Sequence, residues 1–180
     1  MRASRPILTL LLALATLAGC IRPIPRGASG PVPTDSVLVA TGEPDLVQFE
    51  VYFTDRARFE AGDPPFEVAV PRLVQAGRSL PEAALIAFFM GPTEEEQARG
   101  LEAVTSGFTG FRALEIKGGV AHVYLDGPCA SGGGVYTIAQ PLMANLLQFD
   151  EISHVKIYDS DGVTGQPEGD SNSIPPCLEP

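Results

Sequence analysis

The residues best suited to chemistry in this 180-residue chain are three cysteines, because a thiol can carry a lipid, close a disulfide or act as a nucleophile. Cys20 directly follows an apolar segment near the N-terminus, whereas Cys129 and Cys177 lie 48 positions apart in the second half of the chain. The reaction open to each thiol depends on its compartment, and the N-terminal segment decides that compartment.

The N-terminal segment has the three parts of a secretory signal peptide. Arg2 and Arg5 come first, an apolar run from 7 to 18 follows, and small residues precede Cys20. The run is about a dozen residues long, whereas a membrane-spanning helix needs about 20. We therefore expect residues 1–19 to be removed as an export signal, which places the body of the protein outside the cytoplasm.

The end of this segment, Leu17-Ala18-Gly19-Cys20, resembles the lipobox of bacterial lipoproteins. The resemblance implies that the Cys20 thiol receives a diacylglyceryl group and that palmitate-type chains anchor the protein to the bacterial cell membrane. Two or three acyl chains anchor stably, because each buried methylene contributes roughly 0.8 kcal/mol. The alternative is an ordinary signal peptide in which the cysteine occurs by chance.

In an exported protein, Cys129 and Cys177 are an even pair, and a disulfide is their expected state. Closing a loop of this length stabilises a fold by roughly 4 kcal/mol in the chain-entropy model. The alternative is a reactive Cys129 in the segment 127–131, but no histidine partner is evident for it.

Residues 159–162, Asp-Ser-Asp-Gly, match the start of a calcium-binding loop, in which carboxylates at alternate positions supply oxygen ligands. An EF-hand also requires glycine at the sixth position and glutamate at the twelfth, where this chain has threonine and aspartate. The EF-hand is therefore excluded. Asp159 and Asp161 remain weak candidates for a looser calcium site with Glu168 and Asp170, against the alternative of an ordinary turn.

The other polar residues lack the spacing of a catalytic or cofactor site. The two histidines, His122 and His154, do not have the spacing of a metal pair or of a hydrolase triad. The glycine-rich run 131–134 lacks the lysine of a phosphate-binding loop, and we interpret it as a flexible link that lets Cys129 reach Cys177. We therefore expect no catalytic residues, no metal or other cofactor, and no enzymatic activity.

The charge of the chain limits its partners. It carries 12 Lys and Arg against 22 Asp and Glu, a formal net charge of −10. That charge becomes −12 when Arg2 and Arg5 leave with the signal. Such an acidic surface disfavours nucleic acid and anionic lipid headgroups, so we expect no nucleic-acid partner.

The order of strand and helix patterns predicts the fold that positions these residues. Residues 20–45 are rich in proline and glycine and are expected to be a lipidated, extended tether. From Leu46 onward the pattern predicts an α+β fold, a single compact domain with a mixed sheet of about four or five strands and two main helices. The predicted elements are strands near 47–54 and 66–74, a helix capped by Ser79, a hairpin at 114–125, a helix from about Thr137 and a strand near 155–158.

This order resembles the GerMN domain over residues 46–160, and residues 161–180 look like an added tail tied down by the disulfide. The resemblance implies an α/β domain akin to ring-building motifs, used in sporulation, spore germination and envelope lipoproteins that modulate a sensor kinase. It implies assembly or scaffolding and supplies no catalytic residues. The segments that carry it are Val51-Tyr52-Phe53, residues 85–94, residues 114–123, Gln148-Phe149 and residues 150–158.

These observations predict a lipid-anchored, non-enzymatic envelope protein that serves as an assembly, scaffolding or signalling-accessory module by binding an unidentified envelope protein. A role of the sporulation or germination type is included. We expect the contact at an open sheet edge, formed by residues 47–53 or by the segment around Pro71. The alternative is an envelope glycan- or peptide-binding domain or a hydrolase, with a deep pocket lined by His122, Tyr124 and Asp126.

Overall fold

A computed structural model of the chain describes residues 45–180. The predicted signal peptide, the tether up to residue 44 and the predicted lipidation site Cys20 lie outside the described residues. The described chain has the predicted α+β composition, with four α-helices and two three-stranded sheets. The prediction of one mixed sheet of four or five strands is therefore wrong, since the strands divide into two sheets.

The six strands and four helices follow one another in the order β1-α1-β2-α2-α3-β3-β4-β5-α4-β6, and a single 3-10 turn lies near the C-terminus. Their bounds are β1 Leu46–Asp55, α1 Arg56–Ala61, β2 Glu67–Gln75, α2 Leu80–Met90, α3 Glu94–Ala98, β3 Leu101–Glu102, β4 Gly110–Lys117, β5 Val120–Asp126, α4 Ala139–Leu147, β6 His154–Tyr158 and the 3-10 turn Pro176–Leu178.

In the first sheet the strand order is β2-β1-β3, so β1 is its central strand. β1 pairs antiparallel with β2 along its length, and only its last two residues pair with β3. Phe49, Val51 and Phe53 are buried, as the alternation of apolar and polar residues predicts. The prediction that residues 47–53 form an open edge is therefore wrong.

Two side-chain amides of α4 occupy the side of β1 that β3 leaves unpaired. Asn145 Oδ1 accepts the N–H of Tyr52 at 3.0 Å, and Asn145 Nδ2 donates to the Tyr52 carbonyl at 2.9 Å. Gln148 Nε2 donates to the Glu50 carbonyl at 3.0 Å. These bonds replace a strand ladder and satisfy the backbone there, which is why the second hairpin builds a separate sheet.

The second sheet has the order β4-β5-β6, with β4 and β5 antiparallel and β5 and β6 parallel. The predicted hairpin is present: Gly118 and Gly119 form its turn, both with positive φ, 57° and 83°. Only glycine adopts that conformation readily, so the turn type depends on these two residues.

The core lies between the sheets and the helices α2 and α4, and its largest fully buried apolar side chains include Phe53, Leu85, Phe88, Leu125, Leu142, Leu146 and Ile157.

The C-terminal tail is held by more than the disulfide. Cys129 and Cys177 are bonded, with their Cα atoms 6.2 Å apart. In addition, Ser173 extends the second sheet through a parallel bridge to Lys156. The buried Lys156 Nζ donates to the carbonyls of Gln166 and Glu168 at 2.6 and 3.2 Å. The tail is therefore tied down by the disulfide, as expected, and by these hydrogen bonds as well. In the part of the chain that the structure describes, none of the helices combines the length and apolar character that a membrane span requires.

Candidate interaction groove

Of the three residues expected to line a catalytic pocket, His122 and Tyr124 both contact Tyr158 on one face of the second sheet, and Asp126 Oδ1 lies 3.5 Å from Arg112 Nη1. His122 Nδ1 and the Tyr158 hydroxyl are 3.0 Å apart, and Tyr124 stacks on Tyr158 with ring centroids separated by 4.5 Å. Partial burial, reinforced by the charges of Lys117 and Lys156, lowers the pKa of His122. The face is a packed aromatic layer, and these contacts stabilise the sheet.

The weak calcium candidates form an ordinary turn. Asp159 Oδ1 accepts the backbone N–H of Asp161 at 3.0 Å and that of Val163 at 2.8 Å, an arrangement typical of an aspartate that stabilises a turn. Within residues 45–180 the structure brings together no group of three histidine, cysteine or acidic side chains suited to a metal ion. His154 is the first residue of β6, away from His122 along the paired strand register.

The glycine-rich run lies beside the tail. Ser131 Oγ donates to the Cys177 carbonyl at 2.8 Å and also accepts the N–H of Gly133 at 3.3 Å. The run therefore connects Cys129 to α4 and supports the disulfide, which is the structural role that we expected for it.

A concave surface lies between α2 and β2, and we call it the α2–β2 groove. It is open and has a volume of about 790 Å³. Its lining is mainly aliphatic, with an arginine and a glutamate at the end where α2 begins. The residues that line it include Leu46, Leu73, Val74, Arg78, Glu82, Ala83, Ile86, Ala87, Met90 and Thr93.

The helix α2 explains why this groove is apolar. Ser79 Oγ accepts the N–H of Glu82 and so caps the helix start, as predicted, although the reciprocal bond from the Glu82 side chain is not formed. Glu82 is the one charged residue among the eleven of α2. A helix that is apolar on all sides is normally buried on all sides, yet Ile86 is 48% and Met90 81% exposed.

The edge strand β2 forms the other wall of the groove, and its backbone resists pairing with a further strand. The bonds from Asp55 N to Phe66 O and from Ala76 N to Asp45 O show that even-numbered residues of β2 face β1. The odd-numbered backbone groups therefore point outward, and Pro71 contributes no N–H there. The Pro71 carbonyl already accepts a bond from Arg72 Nη1 at 3.0 Å. The Pro71 segment is thus an edge, as predicted, but its middle offers neither donor nor free acceptor.

An ion pair that the sequence analysis missed fixes one end of the groove. Arg72 donates to both Glu96 carboxylate oxygens, at 2.8 and 2.6 Å, and Glu96 is buried. These bonds hold the pKa of Glu96 at about 2, although burial opposes the shift. Glu96 Oε2 also accepts the N–H of Thr93, and Thr93 Oγ1 accepts the N–H of Glu96. The spacing Thr93-x-x-Glu96 is a capping-box signal that would have identified this residue.

The comparisons with known proteins agree with this architecture. A family model described as "Germane: Sporulation and spore germination" matches residues 50–166, from β1 to beyond β6. The match confirms the resemblance to the GerMN domain that the order of elements indicated. No curated protein and no solved structure matches the chain.

Proposed function

The chain belongs to the Germane family of sporulation and spore germination domains, and from that membership we propose that it is a non-enzymatic assembly module that binds protein through the α2–β2 groove. The groove is the observation that carries the proposal. Its walls expose Leu73, Ile86 and Met90 by 62%, 48% and 81%. Exposed aliphatic side chains gathered around one groove are characteristic of an interaction site.

The chemistry of the groove favours binding over catalysis. Apolar residues outnumber polar ones in its lining, and Glu96, the buried carboxylate beside it, has its oxygens engaged by Arg72 and Thr93. A catalytic acid or base needs access to a substrate proton, which these bonds deny to Glu96. An aliphatic wall with charged residues at its ends resembles the anatomy of a protein interface, where an apolar centre is surrounded by a polar rim.

The location of the protein is part of the same proposal. The N-terminal signal and the lipobox-like Cys20 support an exported protein that is anchored to the bacterial membrane by an N-terminal lipid, with its body in water. Residues 21–44, rich in proline and glycine, would connect the lipid to the domain. The module then acts at the envelope, in a role of the sporulation or germination type.

Site-specific photo-crosslinking in cells tests the groove. A photoreactive amino acid at Met90 of the full-length protein should give a discrete protein adduct, and Leu73→Asp should abolish that adduct. Val135 is 77% exposed and does not line the groove, so the same probe at Val135 is the matched control. Equal adducts at both positions, or none at Met90, would contradict the proposal. Peptidoglycan or peptide turnover that one polar substitution abolishes would favour the hydrolase instead.

A further inference from the structure

We infer that the occupant of the α2–β2 groove is a second copy of this chain, packed through α2 in an antiparallel, two-fold arrangement. This inference rests on the proposed function and names the partner for that same surface. A two-fold interface uses one patch twice, so the patch must be complementary to itself. The exposed side of α2 is uncharged from Ala83 to Met90, with Arg78 before the helix and Glu94 and Glu95 after it, and that pattern allows the face to pair with itself.

The backbone of β2 decides between a strand and a helix as the occupant. A strand added at this edge would face Pro71, which lacks an N–H, and a carbonyl that Arg72 already engages. Continuous strand pairing is therefore interrupted at its centre. A helix needs no backbone partners from the groove, because its own N–H and C=O groups are satisfied internally. The occupant that fits is an apolar helix face.

The helix α2 itself has such a face. Ile86 and Met90 lie four residues apart and therefore on one side of the helix, and both are exposed. Ala83 and Ala87 line the groove beside them, and their small side chains allow another helix to approach closely. Packing α2 against α2 of a second copy would cover the exposed aliphatic residues on both molecules.

The charges along α2 favour the antiparallel orientation. Arg78 precedes the helix at one end of the groove, and it has no ion pair among the described residues. Glu94 and Glu95 follow the helix at the other end and are exposed. An antiparallel pair places Arg78 of each copy at the acidic end of the other, and it also opposes the two helix dipoles. A parallel pair would bring the two Glu94–Glu95 ends together, whereas in the antiparallel pair each acidic end meets Arg78, whose attraction Glu82 beside it partly offsets.

The distribution of charge also favours pairing of two copies through this face rather than through the rest of the surface. The chain as a whole carries a net charge of −10, so two copies repel each other through most surfaces. The middle of the α2 face is uncharged from Ala83 to Met90. Anchoring on one membrane, if Cys20 is lipidated, would raise the effective concentration of copies and promote pairing.

The test is the mass of the full-length protein, purified from membranes in detergent and measured by light scattering that separates protein from detergent mass. We expect a dimer for the wild type and a monomer for both Met90→Asp and Met90→Arg, because either charge replaces the most exposed aliphatic side chain of the face and would have to leave water on pairing. Val135→Asp is the matched control and should remain a dimer. Unchanged circular dichroism and melting temperature would show that the Met90 variants are folded.

A monomeric wild type across the accessible concentration range would overturn the inference, and so would a dimer that both Met90 substitutions leave intact. The photo-adduct at Met90 separates this inference from the proposed function. An adduct with the mass of two chains supports both. An adduct with a different protein, together with a monomeric wild type, would retain the proposed function and reject the second copy as the partner.

Discussion

Glu96 shows how one side chain can set the geometry of the groove. It joins β2 to the start of α3, because its carboxylate contacts Arg72 of β2 and the backbone N–H of Thr93, while its own N–H donates to the Thr93 side chain that caps α3. Glu96 is buried and Arg72 half-buried, and removing one partner from such a pair leaves the other charge without compensation. The position of β2 relative to the end of α2 depends on this contact.

We predict that Glu96→Gln lowers the free energy of unfolding by about 3 kcal/mol at pH 7. Because the folded-state pKa of Glu96 is lowered from 4.5 to about 2, the contribution is complete above pH 4.5 and is lost as the pH falls towards 2. Urea unfolding of the wild type and the variant from pH 7 to pH 2 should therefore converge at the acidic end.

The neighbouring Glu95 provides the control for this experiment. It is exposed and belongs to the same helix, so Glu95→Gln should change stability little at any pH. A difference between wild type and Glu96→Gln that is constant from pH 7 to pH 2 would show that the carboxylate charge does not account for the stabilisation.

At the scale of elements, the C-terminal tail is stabilised by hydrogen bonds, by a buried side chain and by the disulfide together. Lys156 is buried in β6, and its ammonium group organises the loop around residues 166–168. Asn172 Oδ1 accepts the N–H of Val155 at 2.8 Å, and Leu178 is buried. The disulfide adds a covalent link near the end of the tail.

We predict that replacing both Cys129 and Cys177 with serine increases hydrogen exchange mainly in residues 175–180, and leaves the second sheet protected. The retained bonds of Lys156 and Asn172 should limit exchange in residues 164–173. Lys156→Met is the complementary change, since it removes the ammonium group and should loosen 164–173 with the disulfide intact. Equal loosening of the whole tail in both variants would contradict this division.

The accuracy of the sequence-based prediction depended on how local each signal was. The alternation in β1, the cap at Ser79 and the glycine turn at 118–119 are all determined by neighbouring residues, and these elements were predicted correctly. The number of sheets was not, because it depends on Asn145, whose amide bonds to Tyr52 across 93 positions of sequence. A buried asparagine in an apolar helix face carries no local sign of such a partner.

The residues of the candidate site were likewise predictable only where the signal was local in the sequence. The cysteine pair could be predicted from the compartment and from its even number. The groove could not, because it results from an all-apolar α2 that is left uncovered on one side, and its sequence is equally typical of a fully buried helix. The ion pair of Arg72 with Glu96 could be predicted in part, since the capping box identifies Glu96 but not its partner across the fold.

At the scale of the whole molecule, the proposed function combines three properties. The domain presents an aliphatic groove, the acidic surface elsewhere disfavours other contacts, and we propose that the N-terminal residues provide export and attachment. The first property is observed in the described residues, whereas attachment depends on the chemistry of Cys20. A soluble form of the same domain would lose the concentration of copies that a membrane provides.

We therefore predict that the membrane form of the protein begins at Cys20 and carries acyl chains on that residue. Mass spectrometry of its N-terminal peptide should find acyl mass and no residues of the segment 1–19, because the lipobox-like sequence directs both changes. Cys20→Ser should move the protein from the membrane to the soluble fraction, since a dozen apolar residues are too few to span a bilayer, which takes about 20. Cys177→Ser serves as the control and should remain in the membrane. An unmodified Cys20 thiol, or a Cys20→Ser variant that stays membrane-bound, would contradict lipid anchoring.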